Sequence, residues 1–277
     1  MRLTFLQHSG FLLETESWYL IFDLCRSEEA LRKNEPICVQ NQAQHPAEHT
    51  GMLPMLTGEK PIAVFVSHSH YDHFDEAIFG LSDQYGKERV HYVLSSDIDD
   101  IDDIAERLSG KLCFMGPGEA RKLNPGELGI RTLRSNDAGV AYLVETDGKL
   151  IYHAGDLQYW DWPGEPEEDN LHYRDTYIEE IGKLSRLLKG REVFLSMLVL
   201  DGRQEQSAYL GIDWFLCHIR TKYAVPMHSF GHYEINSAYA VHFAALKEAG
   251  KLPGGSEGAR YLPITHAGET FILDEDT

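Results

Sequence analysis

The run Pro61-Ile62-Ala63-Val64-Phe65-Val66-Ser67 constrains the fold of this chain more than any other segment. An unbroken apolar stretch with no polar alternation suits a strand covered on both faces, as in a parallel sheet flanked by helices. Directly after it come His68, His70, Asp72 and His73, four metal-ligand side chains within six residues. Burying such groups without a partner is costly, and a divalent cation removes the cost by accepting their lone pairs. In an extended or turning segment alternate residues point the same way, so His68 and His70 close on one ion. The turn into the next helix aims Asp72 and His73 at a second position, with Asp75 helping to hold that turn.

The rest of the chain reads as strands in two batches, each followed by helices. Short strands at 3–7, 10–14 and 18–24 form an antiparallel opening. Residues 26–60 form a long excursion with one short helix, in which Pro36, Pro46, Pro54, Gly51 and Gly58 break any period. After 61–67 follow a helix near 75–85, a strand at 90–95, a helix at 99–109 and a strand at 111–115. The second batch places strands at 119–123, 127–134, 139–146 and 149–154, the last two joined by the hairpin signal Asp147-Gly148. Apolar residues from Tyr177 to Leu188 recur at helical spacing and predict a helix over 174–189. A strand at 193–200, a helix at 210–221, a strand at 223–227, a helix at 235–249 and a strand at 270–273 complete the chain. Gly254, Gly255 and Gly258 mark a loop without the strand-turn-helix context of a phosphate cradle. No flexible linker interrupts this pattern, so residues 1–277 read as one α/β domain with two sheets inside two helical layers.

Acidic residues exceed basic ones, 44 against 25, for a formal net charge of −19. The average field repels nucleic acid, and no dense Lys/Arg run supplies a local basic patch, so a small-molecule substrate is expected and a nucleic-acid partner is not. No apolar run approaches the ~20 residues that span a bilayer, and the segment Met1–His8 reads as a strand rather than a signal peptide. Cys25, Cys38, Cys113 and Cys217 are scattered without CxxC spacing, the usage of a cytoplasmic protein with reduced thiols.

His68-Ser69-His70-Tyr71-Asp72-His73 resembles the HxHxDH signature of the metallo-β-lactamase superfamily. Residues 8–24 resemble the opening HSGF…FD strands of the branch that includes ascorbate-phosphate lactonase-like proteins. Ile151-Tyr152-His153-Ala154-Gly155-Asp156 is similar to the strand ending in Gly-Asp, and Val225-Pro226-Met227-His228 to the late strand that delivers the last histidine. The resemblance implies a four-layer αββα sandwich and two divalent metal ions, zinc first, with manganese or iron as alternatives. It also implies that Asp156 bridges the two ions and that His228 binds the second with Asp72 and His73. Read unaided, Asp156 follows a strand ending in Gly, where backbone comes close to an ion, and His228 sits at the carboxyl end of a strand. One position departs from the pattern. Where the superfamily places a third histidine for the first metal, this chain reads Arg134-Ser135-Asn136-Asp137-Ala138-Gly139. Asp137 is the candidate replacement and Asn136 the weaker one; a carboxylate there makes the donor set harder and leans towards manganese or iron.

The activity implied is hydrolysis of an ester, lactone or related small-molecule bond by hydroxide generated at the metal, with Asp72 orienting it. The alternatives are a phosphodiesterase or nuclease, an iron-dependent oxidoreductase, and a non-catalytic ligand-binding protein. The diiron branch of the superfamily has Glu where this chain has His70, which weighs against the oxidoreductase. His8 and His232 are the candidate general acids. Tyr159-Trp160-Asp161-Trp162-Pro163, directly after Asp156, reads equally as a substrate wall and as packing, and Gln158 as a further pocket residue. His153 reads as a supporting or packing residue. His45 and His49, four apart, read as solvated loop residues, and His91, His172, His218, His242 and His266 as background.

Overall fold

The apolar run at 61–67 forms a strand over Ile62–Val66, and every one of its residues is buried. The computed structural model describes residues 1–34, 37, 52–99, 101–108, 111–123, 128–252 and 256–274. The chain divides into two compact units, one of Met1–Gly116, Lys122–Leu128 and His266–Thr277, the other of Pro117–Arg121 and Gly129–Thr265.

In the first unit, strands β1 (Arg2–Gln7), β2 (Gly10–Glu14) and β3 (Tyr19–Phe22) are antiparallel neighbours. From β3 onward, β4 (Ile62–Val66), β5 (Val90–Ser95) and β6 (Leu112–Met115) are parallel. The return of chain between parallel strands is made by α1 (Glu28–Lys33), a 3₁₀ turn at Glu76–Gly80 with α2 (Leu81–Tyr85), and α3 (Asp102–Arg107). Ser27 caps α1 by accepting from the Ala30 N–H. This helix is the one expected in the 26–60 excursion; residues 35–36 and 38–51, with Cys38, His45 and His49, lie outside the described residues, as do Gly254 and Gly255.

The second sheet has strands β7 (Ala120–Leu123), β8 (Leu128–Arg134), β9 (Val140–Thr146) and β10 (Lys149–His153), followed by β11 (Val193–Val199), β12 (Thr221–Met227) and β13 (Arg260–Tyr261). Strands β8, β9 and β10 are antiparallel, and β10 to β13 parallel. Asp147 and Gly148 take φ of 51° and 72°, the two left-handed positions of the predicted hairpin turn. The first sheet gains its outer strand β14 (Thr270–Ile272) beside β1.

Helices α4 (Glu167–Leu188), α5 (Leu210–His218) and α6 (Glu234–Glu248) serve the second sheet. Tyr177, Ile181, Leu184 and Leu188 form the buried stripe of α4, and Tyr177 Oη donates to Gly211 O at 2.8 Å. This helix starts seven residues earlier than its apolar period indicates. Pro166 followed by Glu167, Glu168 and Asp169 is a helix start written in charge, favourable against the helix dipole, and that first turn buries nothing. Residues 167–173, ahead of the expected start at 174, are therefore helix. Sequence periodicity also missed β13 and a 3₁₀ segment at Gly202–Ser207, both too short to carry a period. Among the described residues no helix is long and apolar enough to cross a membrane.

Parallel strands put their carboxyl ends on one edge of each sheet. In the first sheet β3 leads into Asp23 and β4 into Ser67–His73; in the second, β10 leads to Asp156, β11 to Asp201 and β12 to His228.

Candidate metal centre

In the first unit a single buried carboxylate organises the ligand loop. Asp23, at φ 40° just past β3, accepts from Ser67 N–H (2.7 Å) and Ser67 Oγ–H (2.6 Å), and lies 2.7 Å from His73 Nδ1. A carboxylate only accepts, so His73 Nδ1 carries the proton and Nε2 keeps its lone pair. The Ser67 hydroxyl has spent its one proton on Asp23, so at 2.9 Å it accepts from His68 Nδ1–H. His68 Nε2 is then a bare acceptor, 3.0 Å from His70 Nδ1. The rings of His68 and His70 meet nearly at right angles, at 82°.

His8 joins from the turn between β1 and β2. Its Nε2 lies 3.2 Å from Asp72 Oδ2, its ring meets His73 edge-on at 5.3 Å, and its φ of 48° is a left-handed conformation that costs a side chain about 1–2 kcal/mol. His8, Asp72 and His73 offer ligand atoms all within 4.8 Å of one another, as do His68 and His70. The turn holds through Asp75, which accepts from Ala77 N–H (2.9 Å) and from the Arg26 guanidinium (2.8 and 3.2 Å). Burial would raise the Asp75 carboxyl, but Arg26 outweighs it and holds it below the ordinary value. Cys25 Sγ donates to Asp72 O at 3.0 Å; burial pushes this thiol up to about 12, so it stays protonated and acts as a fixed donor.

In the second unit the same device recurs around His228. Asp201, just past β11, lies 3.1 Å from His228 Nδ1, which fixes the proton there and leaves Nε2 facing Asp156 Oδ1 at 3.5 Å. Two electron-rich atoms so arranged repel unless a cation lies between them or a proton is added. Burial would raise the Asp201 carboxyl, but His228 and the Arg203 guanidinium, at 2.6–3.0 Å, hold it at about 2. His228 has φ 70°, a left-handed residue at a strand end, as His8 is in the first unit. A carboxylate behind each imidazole is the usual support of a metal-binding histidine, because it fixes the tautomer and raises ligand basicity. The donor set of imidazole Nε2 atoms and carboxylates therefore fits a divalent ion such as zinc.

His153 is buried, and its Nδ1 accepts from Gly155 N–H at 3.1 Å, shaping the turn that presents Asp156. Trp160 Nε1 donates to Asp156 O (3.2 Å), and the ring lies edge-on to His228 at 5.8 Å and stacks on Trp162 at 5.2 Å. Trp160 is packing, while Tyr159 and Trp162 line a cavity of about 440 Å³ with the first turn of α4. Gln158 is buried and braced, its amide donating to Val199 O (3.4 Å) and Gln204 Oε1 (3.2 Å), so it is a strut inside the loop and not a pocket group.

Asn136 is also committed. Its Nδ2 donates to Gln158 O and Tyr173 O at 2.8 and 2.9 Å, and its Oδ1 accepts from Gln158 N–H at 3.1 Å. Asp137 is exposed, and among the described residues it is not one of the closely spaced groups of His and Asp ligand atoms. His232 is exposed and lies 3.3 Å from Glu234. Asp201 and Cys25 are supporting residues that the sequence did not single out, and Asp23, the last residue of the HSGF…FD opening, was given no role there. Asp201 stands alone past its strand, where the one available signal was an acid at the carboxyl end of an apolar run.

No protein-family profile matches the chain, and no curated protein matches its sequence. Solved structures do. The chain is similar to Igni18, a metallo hydrolase of the archaeon Ignicoccus hospitalis, at 19% identity and TM-score 0.53, with 99% of each chain covered. It is similar to the short form of human tRNase Z at 12% identity and TM-score 0.52, over 99% of this chain and 100% of that one. It is also similar to CmlA, a diiron β-hydroxylase of Streptomyces venezuelae, at 11% identity and TM-score 0.52, over 82% of this chain and 44% of that one. At these identities the likeness is one of fold: the chain has the metallo-β-lactamase fold.

Proposed function

We propose that the chain is a metal-dependent hydrolase acting on an ester, lactone or related small-molecule bond. In this reading His68 and His70 would hold one ion, Asp72, His73 and His228 would hold a second, and Asp156 would contribute to both. The observation that carries it is the pair of buried carboxylates, Asp23 behind His73 and Asp201 behind His228. Each spends a buried charge on turning an imidazole so that its Nε2 presents a lone pair, an arrangement with no purpose in packing alone. A divalent ion pair there supplies a Lewis acid and lowers the pKa of water to roughly 7.

The chain's own residues do the rest. Asp72, whose backbone carbonyl accepts from Cys25 and whose carboxylate lies 3.2 Å from His8 Nε2, orients the nucleophile. His8 we assign to proton transfer, since Nε2 stands 3.2 Å from that carboxylate. Trp160, edge-on to His228, packs against that buried imidazole. With Asp137 exposed, the first position would hold its ion through fewer protein ligands than the second and would be the first to empty on dialysis.

Elemental analysis of protein purified without added metal tests this reading, alongside turnover of a lactone and ester panel and of bis(p-nitrophenyl) phosphate. We expect about two metal ions per chain, turnover of the lactone or ester panel, and loss of both metal and turnover in Asp156→Ala. Turnover of the phosphodiester alone replaces the lactone reading with the phosphodiesterase one. Metal-free protein with unchanged turnover removes the metal from the mechanism.

A further inference from the structure

A cavity of about 430 Å³ in the second unit, between β8 and α4 and with none of the candidate ligand residues in its lining, gathers Arg131, Arg134, Lys183 and Arg186. In a chain with 44 acidic and 25 basic residues, an arginine on the surface should find a carboxylate easily. Several others do: Arg2 pairs with Glu14, Arg26 with Asp75, Arg191 with Glu145 and Arg220 with Glu192, while Arg32 and Arg89, which form no ion pair among the described residues, lie apart from this cavity's lining. Among the described residues Arg131, Arg134 and Arg186 form no ion pair, and all three line this one cavity.

The acids at the same cavity already have a cation beside them. Glu180 is buried, accepting from the Arg134 backbone N–H at 3.2 Å and from Lys183 at 2.6 Å. Glu119 lies 3.5 Å from Arg121. Lys183, between Glu179 and Glu180 at 2.9 and 2.6 Å, is neutralised, so the three guanidiniums carry the surplus charge. They come from two elements, the end of β8 and the outer face of α4, joined by the Arg134–Glu180 hydrogen bond. Like charges gathered at one cavity repel, and Glu179, the carboxylate that Arg186 acts on, is already paired with Lys183, so an arrangement that keeps the three guanidiniums is explained by an anion that binds them. Guanidinium forks suit the tetrahedral, multiply charged oxygens of phosphate better than a single carboxylate. The volume is that of a small-molecule site.

We propose that this cavity binds a phosphorylated small molecule through Arg131, Arg134 and Arg186. The site is independent of the metal centre, and its test leaves that reading untouched. Inorganic pyrophosphate and ADP, titrated calorimetrically into the intact metal-loaded protein at low salt, separate a bare phosphate site from one that also uses an organic group. The comparison protein is Arg131→Gln/Arg134→Gln/Arg186→Gln, whose exposed positions leave the thermal melt as a check of folding. Pyrophosphate held at the metals appears in both proteins, so the difference isolates the cavity. We expect at least one of the two probes to bind the triple variant at least tenfold more weakly, with a shallower dependence of affinity on salt. If the triple variant melts early, Arg186→Gln alone is compared, with a smaller weakening of the same probe. Identical isotherms in wild type and variant overturn the proposal. So does a variant that loses only single-stranded RNA binding, which would make the patch a polyanion surface.

Discussion

The two units lay out their strands alike and load them differently. Each runs three antiparallel strands into a series of parallel ones, so each has an edge where strand ends collect. The first unit spends nearly all its chemistry in one loop after β4, where His68, His70, Asp72 and His73 follow one another. The second distributes single residues, Asp156, Asp201 and His228, over the ends of three strands. Both nevertheless place a buried carboxylate 2.7–3.1 Å behind an imidazole Nδ1. The difference lies in what steadies that carboxylate. Asp23 is held by the Ser67 hydroxyl and amide, whereas Asp201 takes a guanidinium, Arg203, which stacks on Phe230 at 4.0 Å. Neutral donors tie Asp23 to the integrity of its strand ends; a half-exposed cation on a long side chain makes Asp201 more tolerant.

Asp23→Asn and Asp201→Asn put this contrast to its hardest test. Either change lets the neighbouring imidazole take the wrong tautomer, and metal affinity should fall about 10–100-fold in both, read by chelator competition. Stability should part them. The amide introduced by Asp23→Asn would offer a donor where the Ser67 hydroxyl and His73 need an acceptor, costing about 2–3 kcal/mol in urea unfolding, while the Asp201 variant loses about half as much. Equal losses of stability would break the distinction between the two carboxylates, and unchanged metal affinity in both would remove their role.

A second contrast concerns glycines that admit close approach. A Cβ on Gly10 would stand 3.0 Å from the carbonyl oxygens of Asp23 and Gln7, so this turn beside His8 brings backbone onto backbone. A Cβ on Gly211 would stand 1.8 Å from Gln158 Oε1, a side chain. Backbone oxygens cannot rotate away, but Gln158 can, at the cost of its bonds to Gln204 and Val199. Both alanine variants should lose roughly 1–3 kcal/mol. Gly10→Ala should also weaken metal binding, through Asp23 and His8. If only Gly211→Ala weakens it, the strut at Gln158 governs the site more than the first unit's opening turn does.

The same contrast explains what the sequence disclosed. Four ligands in six residues are legible because their density has no cheap alternative explanation, and the strand before them is legible because an all-buried strand is a continuous apolar run. Asp156 and His228 were reached through resemblance to other chains, since one acid or one histidine at a strand end is ordinary. Asp201 has the same lone appearance and no such help, and Asp23, though it closes the HSGF…FD opening, carried no role there: the role of each exists only once hydrogen bonds to residues 27 and 50 positions away are drawn. The basic cavity was hidden for the opposite reason. Its cations form no run, because Arg131 and Arg134 lie on a strand and Lys183 and Arg186 on a helix far along the chain, and folding alone brings them together. The start of α4 was legible in principle, from Pro166 and three successive acids, but it carries no apolar period to draw attention.

Acid should expose one more asymmetry, the smallest. His153 and His228, buried in the second unit, each have a hydrogen-bonded Nδ1, whereas among the described residues Nε2 of His91 on β5 has no partner. Burial, with repulsion from Lys111 added, pushes His91 down to about 4, from an ordinary value of 6.5. The unfolded chain therefore binds this proton more readily than the folded one. The stability His91 contributes by staying neutral is complete above pH 6.5 and is lost as pH falls towards 4. Allowing for partial solvation of the ring, the loss by pH 5 is about 1 kcal/mol. Trp18 meets this ring edge-on at 5.6 Å, so its fluorescence reports the change in the first unit. His91→Phe keeps the aromatic contact and removes the titration, so urea midpoints followed through Trp18 should fall less between pH 7.5 and pH 5 in the variant than in the wild type. Parallel falls in the two proteins would place the acid-sensitive group elsewhere and leave the two units equally resistant on this count.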